Sequence, residues 1–212
     1  MNNPESMSED ARLSRDFFKR NTVIVAKDLL GKRLVRLENN HRLAGYIVEA
    51  EAYRGEEDLG CHAHVGYTPR TRIMYGSAGH AYVYFTYGMH WMLNIVTEQE
   101  GFPAAVLIRG IQPCEGLDII SERRKGLPIN HWTDGPAKIC QAMNINGELN
   151  GIDLCAPNAP LFVENGIAGN AISDEYIKTG PRVGLFSVPE PWKSIAWRFI
   201  LQMEVSDEII GR

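Results

Sequence analysis

An α+β fold in a single domain is what this sequence predicts: a curved mixed or antiparallel β-sheet with flanking helices and a protruding β-hairpin. Three observations predict it. Strand-like segments run together before and between the helical ones, without the strict strand–helix alternation of a doubly wound sheet. Two runs rich in aromatic and β-branched residues, Ala81 to Tyr87 and Trp91 to Val96, flank Gly88 in the pattern of a hairpin. The 212 residues are 44% hydrophobic and 23% charged, with no internal repeat and no low-complexity linker, which suits one buried core. The domain is expected over 13–203, between a polar, disordered tail at 1–12 and a short acidic tail at 204–212.

Taken in order, Thr22 to Leu30 reads as a short helix. Thr22 is its expected cap, Ile24, Leu29 and Leu30 its packing residues, and Gly31 its left-handed terminator. Arg33 to Leu37 and Leu43 to Ala52 read as paired strands joined around Glu38, Asn39 and Asn40. Gly55 to Gly79 is long for a loop, and its charged, aromatic and histidine content favours a functional one. Gly76 to Gly79 is expected to turn into the hairpin, whose tip lies at Tyr87 to His90. Ala104 to Ile111 is a further strand, and Cys114 to Lys125 an amphipathic helix with Leu117, Ile119 and Ile120 inward. A helix begins near Asp134, a plausible cap followed by an early proline. Asp153 to Phe199 reads as short strands between glycine and proline breaks.

Several classes of function are excluded. No apolar run approaches the roughly 20 residues of a membrane span. Met1 to Asp10 is polar and acidic, unlike a secretory leader, so a cytoplasmic location is expected, with nucleoid association in a prokaryote. The four cysteines are widely spaced and form no Cys-x-x-Cys pair, which reads as free buried thiols. Glycine signatures of nucleotide cofactors, the P-loop and the serine-hydrolase elbow are absent. His62 and His64, with His80 and His90, match no zinc spacing and lack a definite third ligand, so no metal is expected. A net charge of -4 argues only weakly against a nucleic-acid partner, because the Lys and Arg residues crowd between Arg12 and Arg36.

The densest reactive group is Glu49-Ala-Glu-Ala-Tyr53. In a strand, Glu49, Glu51 and Tyr53 share one face. Such a face is either the solvated side of an edge strand or part of a site, and Asp58, His62 and the tyrosine-rich hairpin that follow favour the site. Tyr82, Tyr84 and Thr86 share one hairpin face; Val83 and Phe85, on the other, read as core. Aromatic walls beside a carboxylate suit a planar, electron-poor ligand. Tyr87, next to glycine at a tip, cannot be core, and such a tip can wedge between stacked bases.

In chain order, Val48-Glu-Ala-Glu-Ala-Tyr53, Thr68-Pro-Arg-Thr-Arg72 with Met74, Tyr82-Val-Tyr84, Tyr87-Gly-Met89, Asn94-Ile95, Val106-Leu-Ile-Arg109 and Gly135-Pro-Ala-Lys-Ile-Cys-Gln-Ala142 make one recognisable set. From about Phe17 to Phe199 the chain resembles the alkyladenine (3-methyladenine) DNA glycosylases of the single-domain α+β type. The resemblance implies that Glu51 is the catalytic carboxylate, and that Arg109 and the backbone near His62 help hold the attacking water. It implies Tyr53, His62 and Tyr84 as walls of a pocket for an extruded base, and Asn94 as a floor amide that disfavours a 2-amino group. Tyr87 would fill the gap left in the duplex. Thr71 stands where the family commonly has asparagine, and no role is assigned to it. No metal or cofactor is implied.

The expected partner is double-stranded DNA carrying damaged purines of the 3-methyladenine, 7-methylguanine, hypoxanthine and ethenoadenine class. The expected enzyme is a monomer that removes the base without cutting the strand. Two other readings compete. A hydrolase of free nucleosides would pair Glu49 with Glu51, but residues i and i+2 lie on one side, whereas glycosidase acids flank their bond. A module that only senses lesions would not need Glu51 and Arg109.

Overall fold

Strand β2 (His41–Arg54) is the axis around which the rest is assembled. It pairs along one edge with β5 (Ala104–Glu115). Its other edge is shared, first by β1 (Arg33–Glu38) and then by β8 (Arg198–Leu201). The computed structural model describes residues 12–166 and 172–202, so the acidic tail at 204–212 and nearly all of the tail at 1–12 lie outside the described residues. Among the described residues the sheet has eight strands, in the order β3-β4-β5-β2-β1-β6 with β7 attached through β8. Here β3 is Ala81–Thr86, β4 His90–Val96, β6 Leu161–Glu164 and β7 Ile177–Gly180. Every ladder is antiparallel, which resolves the mixed-or-antiparallel expectation. The possibility that Glu49 to Tyr53 is an edge strand is overturned, since β2 has neighbours on both sides.

The side-chain phase of β2 changes midway. Leu43 and Ile47 lie in the core, and so do Ala50 and Ala52, a step of three between Ile47 and Ala50. A bulge explains the step: Ile47 pairs with Ile111 and Glu49 with Gly110, leaving Val48 extra on β2. Immediately after it, Ala50 pairs with Ile108, so Arg109 is the extra residue on β5. Bulges re-aim side chains. This pair brings Glu49, Glu51 and Arg109 together on the face opposite Ala50 and Ala52.

The β1–β2 turn uses Asn39 and Asn40 at φ 49° and 64°, a left-handed conformation that asparagine tolerates better than most residues. The hairpin of β3 and β4 protrudes because only Asn94 to Val96 of β4 pair with β5; its outer half has no strand beneath it. For that reason Phe85, expected in the core, is 46% exposed and instead lies against Trp91. Val83 is buried, as expected.

Among the described residues four short helices pack around the sheet: α1 (Arg15–Phe18), α2 (Thr22–Asp28), α3 (Leu117–Arg123) and α4 (Pro136–Ala142). Three of their ends and one helix face differ from expectation. The cap of α2 is Asn21, whose side chain accepts the Val23 N–H, while Thr22 is its first helical residue. Ile24 is 51% exposed, because the buried stripe runs through Val25, Ala26, Leu29 and Leu30 instead. Cys114 and Glu115 complete β5, and Gly116 at φ 68° turns the chain before α3 starts. Gly135 takes the cap position of α4; Asp134 instead bonds Lys138 at 2.6 Å and His131 at 2.9 Å.

The long loop contains two 3₁₀ turns, His62–Val65 and Arg72–Tyr75. All four cysteines are free thiols. Among the described residues no helix is long and apolar enough to cross a membrane.

Candidate active site

A cavity of about 300 Å³ opens beside the hairpin, within the size range of small-molecule sites. Tyr53, His62, Tyr82 and Tyr84 contribute rings to its lining, and Asn94 and Arg109 contribute polar groups. Two of its walls follow from strand alternation: Tyr53 comes from β2, and Tyr82 and Tyr84 from one face of β3. His62 arrives from the long loop. Its 3₁₀ turn is capped by Cys61, whose sulfur accepts the Ala63 N–H. The His62 and Tyr84 rings meet edge to face with centroids 4.5 Å apart, and His62 Nδ1 lies 2.9 Å from the Tyr82 hydroxyl.

Glu51 is wholly buried next to the Tyr53 wall. The Tyr53 hydroxyl donates to its Oε2 at 2.8 Å, the Val183 backbone N–H donates to Oε1 at 2.7 Å, and Arg109 Nε is 3.4 Å from Oε1. Burial pushes the Glu51 carboxyl above its ordinary range, and the Arg109 charge and the two donors pull it back. Glu49 is tied differently. Its Oε1 accepts from Arg109 Nε at 2.9 Å and from Arg198 Nε at 2.7 Å. Arg109 is therefore shared between the two acids, and Glu49 is spoken for.

Burial, reinforced by the nearby Arg70 and His64, pushes the His62 imidazole down to about 4. It is neutral at physiological pH. Burial and the adjoining Glu51 carboxylate hold the Tyr53 phenol well above its usual range. Neither group offers a readily released proton. Asn94 is 4% exposed, and its Nδ2 donates to the Tyr82 carbonyl at 3.1 Å. Tyr87 lies at the hairpin apex, 84% exposed, with φ 52° followed by Gly88 at φ 68°. The structure thus brings Tyr53, His62, Tyr84, Asn94, Arg109 and the exposed Tyr87 to one cavity, while Glu51 stays out of its lining and reaches it through the wall residues Tyr53, Arg109 and Val183. The His62 main chain makes no hydrogen bond to Glu51; the backbone group that reaches the carboxylate is that of Val183.

Sequence reasoning passed over the segment that carries Val183. Arg182 and Asp58 form a fully buried ion pair, with Nη2 to Oδ1 at 2.7 Å. Arg182 also donates to the Ala52 carbonyl and lies 4.7 Å from the centre of the Tyr53 ring. That clamp fixes the next residue, Val183, against Glu51. The partners are 124 positions apart, and no local spacing could have linked them. Met74 and Leu107 line the cavity as well. Thr71, to which no role was assigned, is buried and donates to the Gly66 carbonyl at 2.8 Å, closing its own loop.

Most of the basic residues near the N-terminus are engaged in ion pairs. Arg15 pairs with Asp153, Arg20 with Asp28, Lys27 with Asp174, and Arg33 with Glu115 and Glu164. Among the described residues no cluster of three or more His, Cys, Asp or Glu could hold a metal ion.

Comparison with known proteins gives this geometry its family. Residues 16–205 match the model of the methylpurine-DNA glycosylases (MPG). A protein of Clostridium acetobutylicum is 46% identical over 200 residues, covering 90% of this chain and 94% of its own. One of Methanocella arvoryzae is 48% identical over 186 residues, covering 85% of this chain and 90% of its own. Both are named provisionally as 3-methyladenine DNA glycosylases. With its match running almost the full length of the fold just described, the chain belongs to the methylpurine-DNA glycosylases, hydrolases of DNA repair that act on DNA.

Proposed function

We propose that the enzyme extrudes an alkylated or deaminated purine from duplex DNA into the ring-lined cavity and hydrolyses its N-glycosidic bond with a water activated by Glu51. The observation that carries this reading is a wholly buried carboxylate hydrogen-bonded to Tyr53 and Val183, two wall residues of a cavity rich in aromatic rings. Tyr53, His62 and Tyr84 would sandwich the base, Asn94 would exclude a 2-amino group at the floor, and Tyr87 would occupy the vacated stack. Extrusion costs a few kcal/mol, less at a damaged pair, and stacking returns about 1–3 kcal/mol per base. Pocket and wedge together can offset the cost.

A methylated purine leaves readily because it already carries positive charge. As its bond to the sugar carbon breaks, the sugar becomes oxocarbenium-like. Glu51 stabilises that charge and accepts the proton of the water whose oxygen bonds to the sugar carbon. Burial raises its basicity, while Arg109 and the Val183 N–H favour the ionised form that accepts the proton. One acid suffices when the leaving group needs no proton, unlike the paired acids of ordinary glycosidases. The engagement of Glu49 with Arg109 and Arg198 counts against its service as a second acid. His62, neutral at physiological pH, is a poor proton donor, so cationic purines are the substrates this site suits best.

The test is Glu51→Gln. Base release from a 3-methyladenine or hypoxanthine duplex, read as alkali-labile sites, is expected to fall at least about a hundredfold. Binding to the same duplex is expected to survive. Turnover near that of the wild type would overturn the mechanism.

A further inference from the structure

We propose that a second groove, adjoining the base cavity, cradles the phosphodiester backbone of the bound duplex around a buried cation, Arg124. The inference rests on the reading of the chain as a duplex-binding glycosylase, and it adds a site that base recognition does not require. The groove encloses about 770 Å³ between the outer part of β4, helix α4 and the stretch that follows α4. The two sites share walls. Tyr87 and Met92 of the hairpin and Pro136 of α4 face the base cavity, while Met89, Trp91 and Ala137 face the groove. A strand whose nucleotide occupies the cavity therefore has a continuous path along the hairpin into the groove.

Its chemistry is one-sided. His90, Arg124 and Lys138 line it with the amides of Gln141, Asn144 and Asn146, and no carboxylate is among the lining residues. That is notable on a chain of net charge -4 whose other arginines are mostly paired. Arg124 is only 7% exposed. Its sequence neighbours Arg123 and Lys125 have carboxylates, Glu38 and Glu122, but no carboxylate of the described residues lies within ion-pair distance of Arg124. It bonds the Gln141 amide oxygen and reaches the His131 carbonyl only at 3.5 Å, and its Nε has no partner among the described residues.

A buried charge without a counter-charge is costly, and a guanidinium does not shed its proton to escape the cost. A phosphate oxygen would supply the missing charge and match the donor fork. Lys138 is held by Asp134 at 2.6 Å, a half-exposed pair of the weak, exchangeable kind, so it too can turn to a phosphate.

The experiment measures duplex affinity against salt for the wild type, Arg124→Met and Arg124→Lys. Arg124→Met is expected to weaken binding to undamaged and lesion duplexes by a similar factor, about tenfold. It should also lower the slope of log affinity against log salt by about one, and Arg124→Lys should restore that slope. Replacing phosphates of the lesion strand one at a time by neutral methylphosphonates should reveal a linkage that weakens the wild type but adds nothing to the Arg124→Met loss. An unchanged slope with a lowered melting temperature would make Arg124 a structural residue and overturn the proposal. Should Arg124→Met not fold, the same linkage scan with Lys138→Gln decides, and no coupled linkage there would equally overturn it. Salt-insensitive binding by the wild type would instead sink the duplex-binding reading itself.

Discussion

At Arg109 two acids compete for one guanidinium nitrogen, and that charge tempers the rise that burial imposes on Glu51. Nε is 2.9 Å from Glu49 and 3.4 Å from Glu51. Burial raises the Glu51 carboxyl, and the Arg109 charge is the largest influence that lowers it again. Removing that charge must therefore raise it further. Arg109→Met is expected to shift the acidic limb of the single-turnover rate on a cationic lesion to higher pH, as well as lowering the plateau. A limb left where it was would mean that Arg109 does not tune the carboxylate. His62 is held neutral by burial and by Arg70, so its own ionisation belongs near pH 4, below the range in which the enzyme would work.

The hairpin, as an element, separates its roles by position. Near the sheet, Tyr82 and Leu93 are buried. Beyond Asn94 no further strand pairs with the hairpin, and the tip exposes Tyr87 and Met89. An 84% exposed ring contributes little to folding. Tyr87→Ser is expected to leave the melting temperature within about 2 °C. It should weaken lesion-duplex binding by roughly five- to 150-fold, the worth of about 1–3 kcal/mol of lost stacking. An unchanged affinity with a lowered melting temperature would return Tyr87 to a structural role.

Across the whole molecule, the cavity is assembled from segments distant in sequence, and the Asp58–Arg182 pair joins two of them. Both side chains are fully buried, and Arg182 also caps the Ala52 carbonyl of β2. Breaking a buried pair strands its surviving charge. Arg182→Met is expected to cost about 3–5 kcal/mol in denaturant unfolding and to lower activity by releasing Val183 from Glu51. A cost below about 1 kcal/mol would mean that the clamp is not what fixes the loop. At this scale the acidic net charge ceases to be an argument about DNA. Most of the N-terminal cations are held in ion pairs, while the groove beside the hairpin concentrates cations and amides.

The sequence by itself determined the α+β class, the protruding hairpin, the shared face of Glu49, Glu51 and Tyr53, and an exposed Tyr87. These follow from periods of two and from turn chemistry, which act over a few residues. It misplaced the helix caps and put Phe85 in the core, because those depend on which neighbour competes for a backbone group and on where the adjoining strand stops. Tertiary structure alone decided that β2 is central, that paired bulges swing Arg109 to the two acids, and that Val183 closes on Glu51. Each of these is a contact between chain segments separated by tens of residues, fixed by the registry of the whole sheet and by burial of charge, and neither is written in local spacing.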